Sequence, residues 1–93
     1  MRVKVTFLGI IRDQVGQRSL ELELPEGSTF GDLMAAIAPT MEEKVGSWAW
    51  DRQSQRFSGR IVVSRQKAVG GIEAKAPLVD GEEVLVFPPL AGG

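Results

Sequence analysis

The chain predicts an α+β domain, with one main helix packed on one face of a mixed sheet of four to five strands, and three observations carry this. Two early segments alternate apolar and polar residues, a central segment repeats apolar residues at helical spacing, and a late segment is apolar without a break. The order strand, strand, helix, strand, strand then sets the helix across the sheet, because each element has one apolar face to bury.

Val3, Val5 and Phe7 alternate with Arg2, Lys4 and Thr6, the two-residue period of a strand with one face in the core. Leu20, Leu22 and Leu24 repeat the pattern around Glu21 and Glu23. The polar stretch Arg12 to Gln17 between them, with Gly16, reads as the longer loop of a hairpin. Pro25-Glu26-Gly27 breaks the second strand, and Thr29 with Asp32 forms a capping-box pair, the signature of a helix start. Phe30, Leu33, Met34 and Ile37 fall at i, i+3, i+4 and i+7 and make one apolar stripe. Pro39 is expected to end that helix. Thr40 and Glu43 suggest a second, shorter capped turn with Met41, Val45 and Trp48 inward.

Asp51 to Gly59, polar apart from Phe57, reads as a surface loop, and Ile61-Val62-Val63 as a short strand between Arg60 and Arg65. Gly70 to Pro77 is irregular. Asp80-Gly81 is a turn signal, and Val84-Leu85-Val86-Phe87 has the continuous apolar character of a central strand. There are no repeats and no low-complexity segments.

Ninety-three residues make one domain, near the size at which a single apolar core first suffices without staples. The chain has 43% hydrophobic and 25% charged residues and a net charge of −1. That balance argues against disorder and against a strong field toward nucleic acid or membrane. Cysteine and histidine are both absent. This excludes disulfides, a thiol nucleophile, a Ser-His pair and the usual zinc or iron-sulfur ligand sets, and it removes the usual acid-base group near neutral pH. The expectation is a carrier or cosubstrate with no catalytic groups of its own. No metal and no bound cofactor are expected. Met1-Arg2-Val3-Lys4-Val5 alternates charge instead of showing an apolar signal core, and no run reaches membrane-spanning length. A cytoplasmic location is therefore expected.

The most informative stretch is Phe87-Pro88-Pro89-Leu90-Ala91-Gly92-Gly93. Two prolines hold extended geometry and turn Phe87 away from helical angles, so residues 88–93 are expected to leave a domain of residues 1–87 as an outward arm. An extended arm of that length reaches roughly 20 Å. Gly92 and Gly93 lack Cβ atoms and can pass through a channel too narrow for side chains. The Gly93 carboxylate, ionised at neutral pH, resists nucleophiles until it is activated, for instance as an acyl-adenylate. Frayed chain ends also finish in small residues. The rigid proline pair behind a central-type strand favours a terminus meant for capture by a partner.

With Asp80-Gly81-Glu82-Glu83-Val84 and Phe87 to Gly93 in view, the sequence resembles the MoaD and ThiS sulfur carriers, relatives of ubiquitin. Phe-Pro-Pro before Gly-Gly is closest to the molybdopterin synthase small subunit and the archaeal ubiquitin-like modifiers, and Val3-Lys4-Val5 to Phe7 then Arg12 adds to the likeness. The resemblance implies a β-grasp fold. It also implies a Gly93 carboxylate that a partner activating enzyme adenylates with ATP and that sulfur from a persulfide donor converts to a thiocarboxylate. The acceptor would be the molybdopterin synthase large subunit, in molybdenum cofactor biosynthesis. In modifier relatives the activated glycine is joined instead to lysines of target proteins. The likeness is weaker in the middle, where Trp48 to Gly59 is longer and more polar than in small carriers and Ser64-Arg65 replaces an Asn-containing turn.

Leu8, Leu85 and Phe87 should share the sheet face away from the helix, a candidate docking patch with Pro88, Pro89, Leu90 and Ala91 beside it. Alternatively, the second short helix or the 48–60 loop covers these residues. Trp48, Trp50, Arg52, Arg56, Phe57 and Arg60 interleave aromatics and cations, but without the broad basic excess of a nucleic-acid domain, and read as a structural loop. Glu82 and Glu83 point to opposite faces and read as surface or rim residues. Gly70-Gly71 lacks the companions of a phosphate loop and reads as a turn. Lys4, Lys44, Lys67 and Lys75 are candidate attachment points if the protein is itself conjugated.

Overall fold

The computed structural model describes residues 1–67 and 70–89. Strand β1 (Arg2–Phe7) pairs antiparallel with β2 (Ser19–Glu23) in a register that sets Val5 opposite Leu20. It pairs parallel with β6 (Glu83–Phe87), which in turn pairs antiparallel with β5 (Val62–Gln66). The result is a mixed four-stranded sheet of order β2-β1-β6-β5. The unbroken apolar run of β6 lies, as expected, between two neighbours.

Alternation decides which face is dry. Val3, Val5, Phe7, Val84 and Val86 are all 0% exposed and point to one side of the pleat. Helix α2 (Phe30–Lys44) covers that side with Phe30, Leu33, Met34, Ile37, Ala38 and Met41. Its start is the predicted capping box: Asp32 N–H donates to the Thr29 hydroxyl at 3.2 Å and Thr29 N–H to the Asp32 carboxylate at 2.9 Å. Two further N-terminal donors are used, Phe30 N–H on the Ala76 carbonyl and Gly31 N–H on that of Ala74, at 2.8 and 2.9 Å. A side chain at Gly31 would meet Ala74 at 3.0–3.1 Å, so the helix start and this loop approach as closely as they do because residue 31 has none.

Four expectations need correction. The polar stretch after β1 is not a simple hairpin loop, because a short helix α1 (Ile10–Val15) buries Ile11 and Val15 against the core. Pro39 does not end α2, which continues to Lys44. The proline is exposed, so the carbonyl that loses its partner can turn to water, while Ile37, Ala38 and Met41 stay buried and hold the helix through it. Thr40 to Glu43 accordingly belong to the same helix rather than to a second capped turn; Met41 and Val45 do face inward. Asp51 to Gly59 includes all but the first residue of a small hairpin, β3 (Trp50–Asp51) with β4 (Arg56–Phe57), in which Trp50 packs edge-on against Phe57 with centroids 5.0 Å apart.

Glu82 is the fourth correction. It is not a surface or rim residue: its carboxylate is fully buried against Arg65, whose side chain is 2% exposed. Register places Arg65 opposite Val84, on the inner face, with its guanidinium 5.6 Å from the centre of the Phe30 ring. Besides Glu82 it donates to the Gly71 and Pro77 carbonyls at 2.8 Å, and Val79 N–H donates to Glu82 at 2.8 Å. The irregular 70–79 segment is thus fastened by one buried ion pair whose donors and acceptors are matched, the condition under which such a pair is tolerated.

Candidate functional site

The face of the sheet away from α2 is built by the complementary alternation. Phe87 stands opposite Val62, and Leu85 lies between Thr6 and Ser64. Leu8, one residue beyond β1, is held by its N–H on the Val86 carbonyl at 2.9 Å. Leu8 and Val62 are 40% and 38% exposed, whereas Leu85 and Phe87 are half-buried. Leu8, Leu85 and Phe87 therefore do share one face, and Val62 joins them. Neither the expected second turn, which is the end of α2, nor the 48–60 segment covers this patch, because Met41, Val45, Ala49 and Trp50 belong to the core on the opposite side.

Polarity changes along the strands. The next positions outward from Leu85 are Glu83 and Lys4, in register with each other and with Glu21 and Gln66. At the far end Arg2 and Glu23 pair at 2.9 Å, and that hydrogen-bonded guanidinium holds the Glu23 carboxyl below the usual carboxylate range. On the β2 side, Lys4, Arg12 and Arg18 surround a shallow depression next to Leu8. The outer face is thus charged at the end where β6 begins and apolar where it finishes, with Arg12 and Arg18 flanking that apolar end on the β2 side.

The chain leaves β6 at this apolar end. Pro88 is half-buried and rests on the turn between β1 and α1, where a Cβ added to Gly9 would come within 3.3 Å of its Cδ. Pro89 is exposed. Leu90, Ala91, Gly92 and Gly93, four of the site residues expected from sequence, lie outside the described residues. Sequence reasoning missed Val62, although its alternation with Ser64 and Gln66 across from Phe87 was a usable signal. It missed Gly9 too, since only the fold brings that residue to Pro88. Among the described residues no three His, Cys, Asp or Glu side chains gather as a metal site. No helix among them is long and apolar enough to cross a membrane.

Such a fold, one main helix on a four-stranded mixed sheet with a proline-led C-terminal segment, is that of the ubiquitin-like small carriers and modifiers. The chain belongs to the ThiS family, whose model matches residues 5–93. It is 28% identical over 94 residues to small archaeal modifier protein 3 of Haloferax volcanii, with 100% of both chains covered. Among solved structures, SAMP1 from Haloferax volcanii superposes with a TM-score of 0.75 at 20% identity, covering 100% of both chains. Molybdopterin converting factor subunit 1 from Pyrococcus furiosus gives a TM-score of 0.66 at 27% identity, covering 97% of this chain and 99% of that one.

Proposed function

We propose that this protein is a sulfur carrier whose C-terminal Gly93 is adenylated and then converted to a thiocarboxylate. The observation that carries the reading is the junction of β6 with the arm: the strand's outer residues form the apolar patch, and the chain then passes directly through Pro88-Pro89 toward Gly92-Gly93. A partner gripping the patch receives the start of the arm, Pro88-Pro89, at a fixed place relative to its grip, a first part of the positioning that acyl activation needs. In the first step a Gly93 carboxylate oxygen attacks the α-phosphorus of ATP and pyrophosphate leaves. A persulfide sulfur then displaces AMP from the acyl carbon, and a thiol cleaves the resulting acyl disulfide to release the thiocarboxylate. The activating enzyme supplies the catalytic groups and consumes the ATP; this chain supplies the nucleophilic carboxylate and the surface that places it.

The molybdopterin synthase large subunit is the proposed acceptor, with this chain as the small subunit. The 27% identity to a molybdopterin converting factor subunit 1 supports it, as does the fold shared with a structure of subunits 1 and 2 of that factor from Helicobacter pylori. A second reading, conjugation of Gly93 to target lysines, is favoured by the full-length match to a small archaeal modifier protein. Incubation with the activating enzyme, ATP and a persulfide donor, followed by intact-mass measurement, tests the first reading. Replacement of one oxygen by sulfur at the terminus is expected. Target lysines joined to the C-terminal 76–93 peptide of this chain in digested cell extracts, without any thiocarboxylate, would select the second reading, and neither product would sink both.

A further inference from the structure

We infer that Gly9 is a positioning residue for the reacting terminus: it forms the seat on which Pro88 rests and so sets the direction in which the arm leaves the globule. This inference rests on the carrier reading and adds a residue to it.

Gly9 has φ 71° and ψ −149°, a backbone region essentially confined to glycine. Four described glycines have positive φ, namely Gly9, Gly16, Gly27 and Gly81, and around a Cβ at the other three there is nothing within 4 Å. Gly9 alone combines that conformation with a close neighbour, for its Cβ would stand 3.3 Å from Pro88 Cδ and 3.4 Å from Cγ. The contact is braced on both sides. Leu8 N–H is bonded to the Val86 carbonyl at 2.9 Å and Arg12 N–H to the Gly9 carbonyl at 3.1 Å, so the turn is tied to β6 just before the proline and to α1 just after the glycine. The ring of Pro88 fixes its own φ, and the contact with Gly9 fixes where that ring lies. Together they make the base of the arm a rigid bracket at Pro88.

A methyl group at position 9 presses on Pro88 at 3.3 Å, so the ring must give by a few tenths of an ångström, and because it is part of the main chain the arm gives with it. The arm then leaves at a different angle while Leu8, Val62, Leu85 and Phe87 keep their places on the sheet. Gly9→Ala should therefore spare docking and impair activation. The test is ATP–pyrophosphate exchange by the activating enzyme with the folded full-length protein as substrate. Gly9→Ala is expected to lower kcat by about tenfold or more, the scale of a small misplacement of reacting atoms, with KM within about twofold of wild type. Pro88→Ala added to Gly9→Ala removes the opposing ring and should restore part of kcat. The strain of an alanine at position 9 is common to the single and the double variant, so recovery in the double isolates the ring contact; Gly16→Ala, an alanine in the milder left-handed α region with no contact, should lower thermal stability with kcat unchanged. A kcat for Gly9→Ala within twofold of wild type would overturn the inference. So would a loss in which KM rises and kcat holds, or an equal loss in Gly16→Ala. No exchange with the wild-type protein would instead overturn the carrier reading, and this inference with it.

Discussion

Arg65 and Glu82 meet beneath Phe30 with side chains 2% and 0% exposed, so each is the main compensation for the other's lost hydration. Removing one charge leaves its partner buried and uncompensated, a change that typically costs 3–5 kcal/mol. Arg65→Met is therefore expected to lower unfolding stability by about 3–5 kcal/mol, read by urea denaturation. Adding Glu82→Leu should recover part of the loss, because an apolar pair leaves no orphaned carboxylate. A single variant within 1 kcal/mol of wild type would mean that water reaches the pair. At the surface the charges act differently. The Arg2 guanidinium holds the Glu23 carboxyl below its usual range, and the Ser54 hydroxyl, with the Gln53 N–H, does the same for Asp51. Their contribution is complete above the ordinary carboxylate range and is lost as pH falls through the depressed values. With no histidine in the chain, there is no imidazole to titrate near neutrality. The thermal midpoint should thus fall on acidification below about pH 4; a midpoint that rises there contradicts this.

At the scale of the elements, α2 carries a proline in its interior and survives it. An interior proline costs an exposed helix about 3 kcal/mol relative to alanine, and burial of Ile37, Ala38 and Met41 on the same helix offsets that. Pro39→Ala should then stabilise the protein by about 1–3 kcal/mol, measured by chemical denaturation, and a destabilised variant would show that the ring makes contacts that matter. Proline read as a terminator misleads here because local propensity is weighed without tertiary burial. Helix α1 was hidden for a related reason. It has six residues, begins at a glycine without a side-chain cap, and buries only Ile11 and Val15, too little periodicity to stand out from a loop. The strands and the start of α2 were legible because alternation and the Thr29–Asp32 pair are local signals. The Arg65–Glu82 pair, 17 residues apart, was not, since nothing local marks two charges as partners.

For the molecule as a whole, the patch follows from alternation for Leu8, Leu85 and Phe87, and the alternation of Val62 with Ser64 and Gln66 offered the same signal, which the register of β5 on β6 makes plain by setting Val62 opposite Phe87. The tail was legible as composition, and the seat of its first proline on Gly9 only in three dimensions. Phe87 is half-buried on the outer face, opposite Val62 and away from the core cluster. On the proposed carrier reading, Phe87→Ala should weaken binding to the activating enzyme by about tenfold or more, as loss of an aromatic anchor does, with the far-ultraviolet circular dichroism unchanged. An affinity within twofold of wild type, measured by calorimetry, would remove Phe87 from the docking surface.

The chain contains two tryptophans and no tyrosine. Trp50 lies in the core, and Trp48 packs against it with its indole N–H on Gln14 at 3.0 Å. Both chromophores are therefore screened from the sheet's outer face by the protein's own interior. Intrinsic emission will report melting of the globule strongly and engagement of the apolar patch hardly at all. An association assay on this protein thus needs a dye or heat as its signal, and the native fluorescence is left free as an independent gauge that each variant is folded.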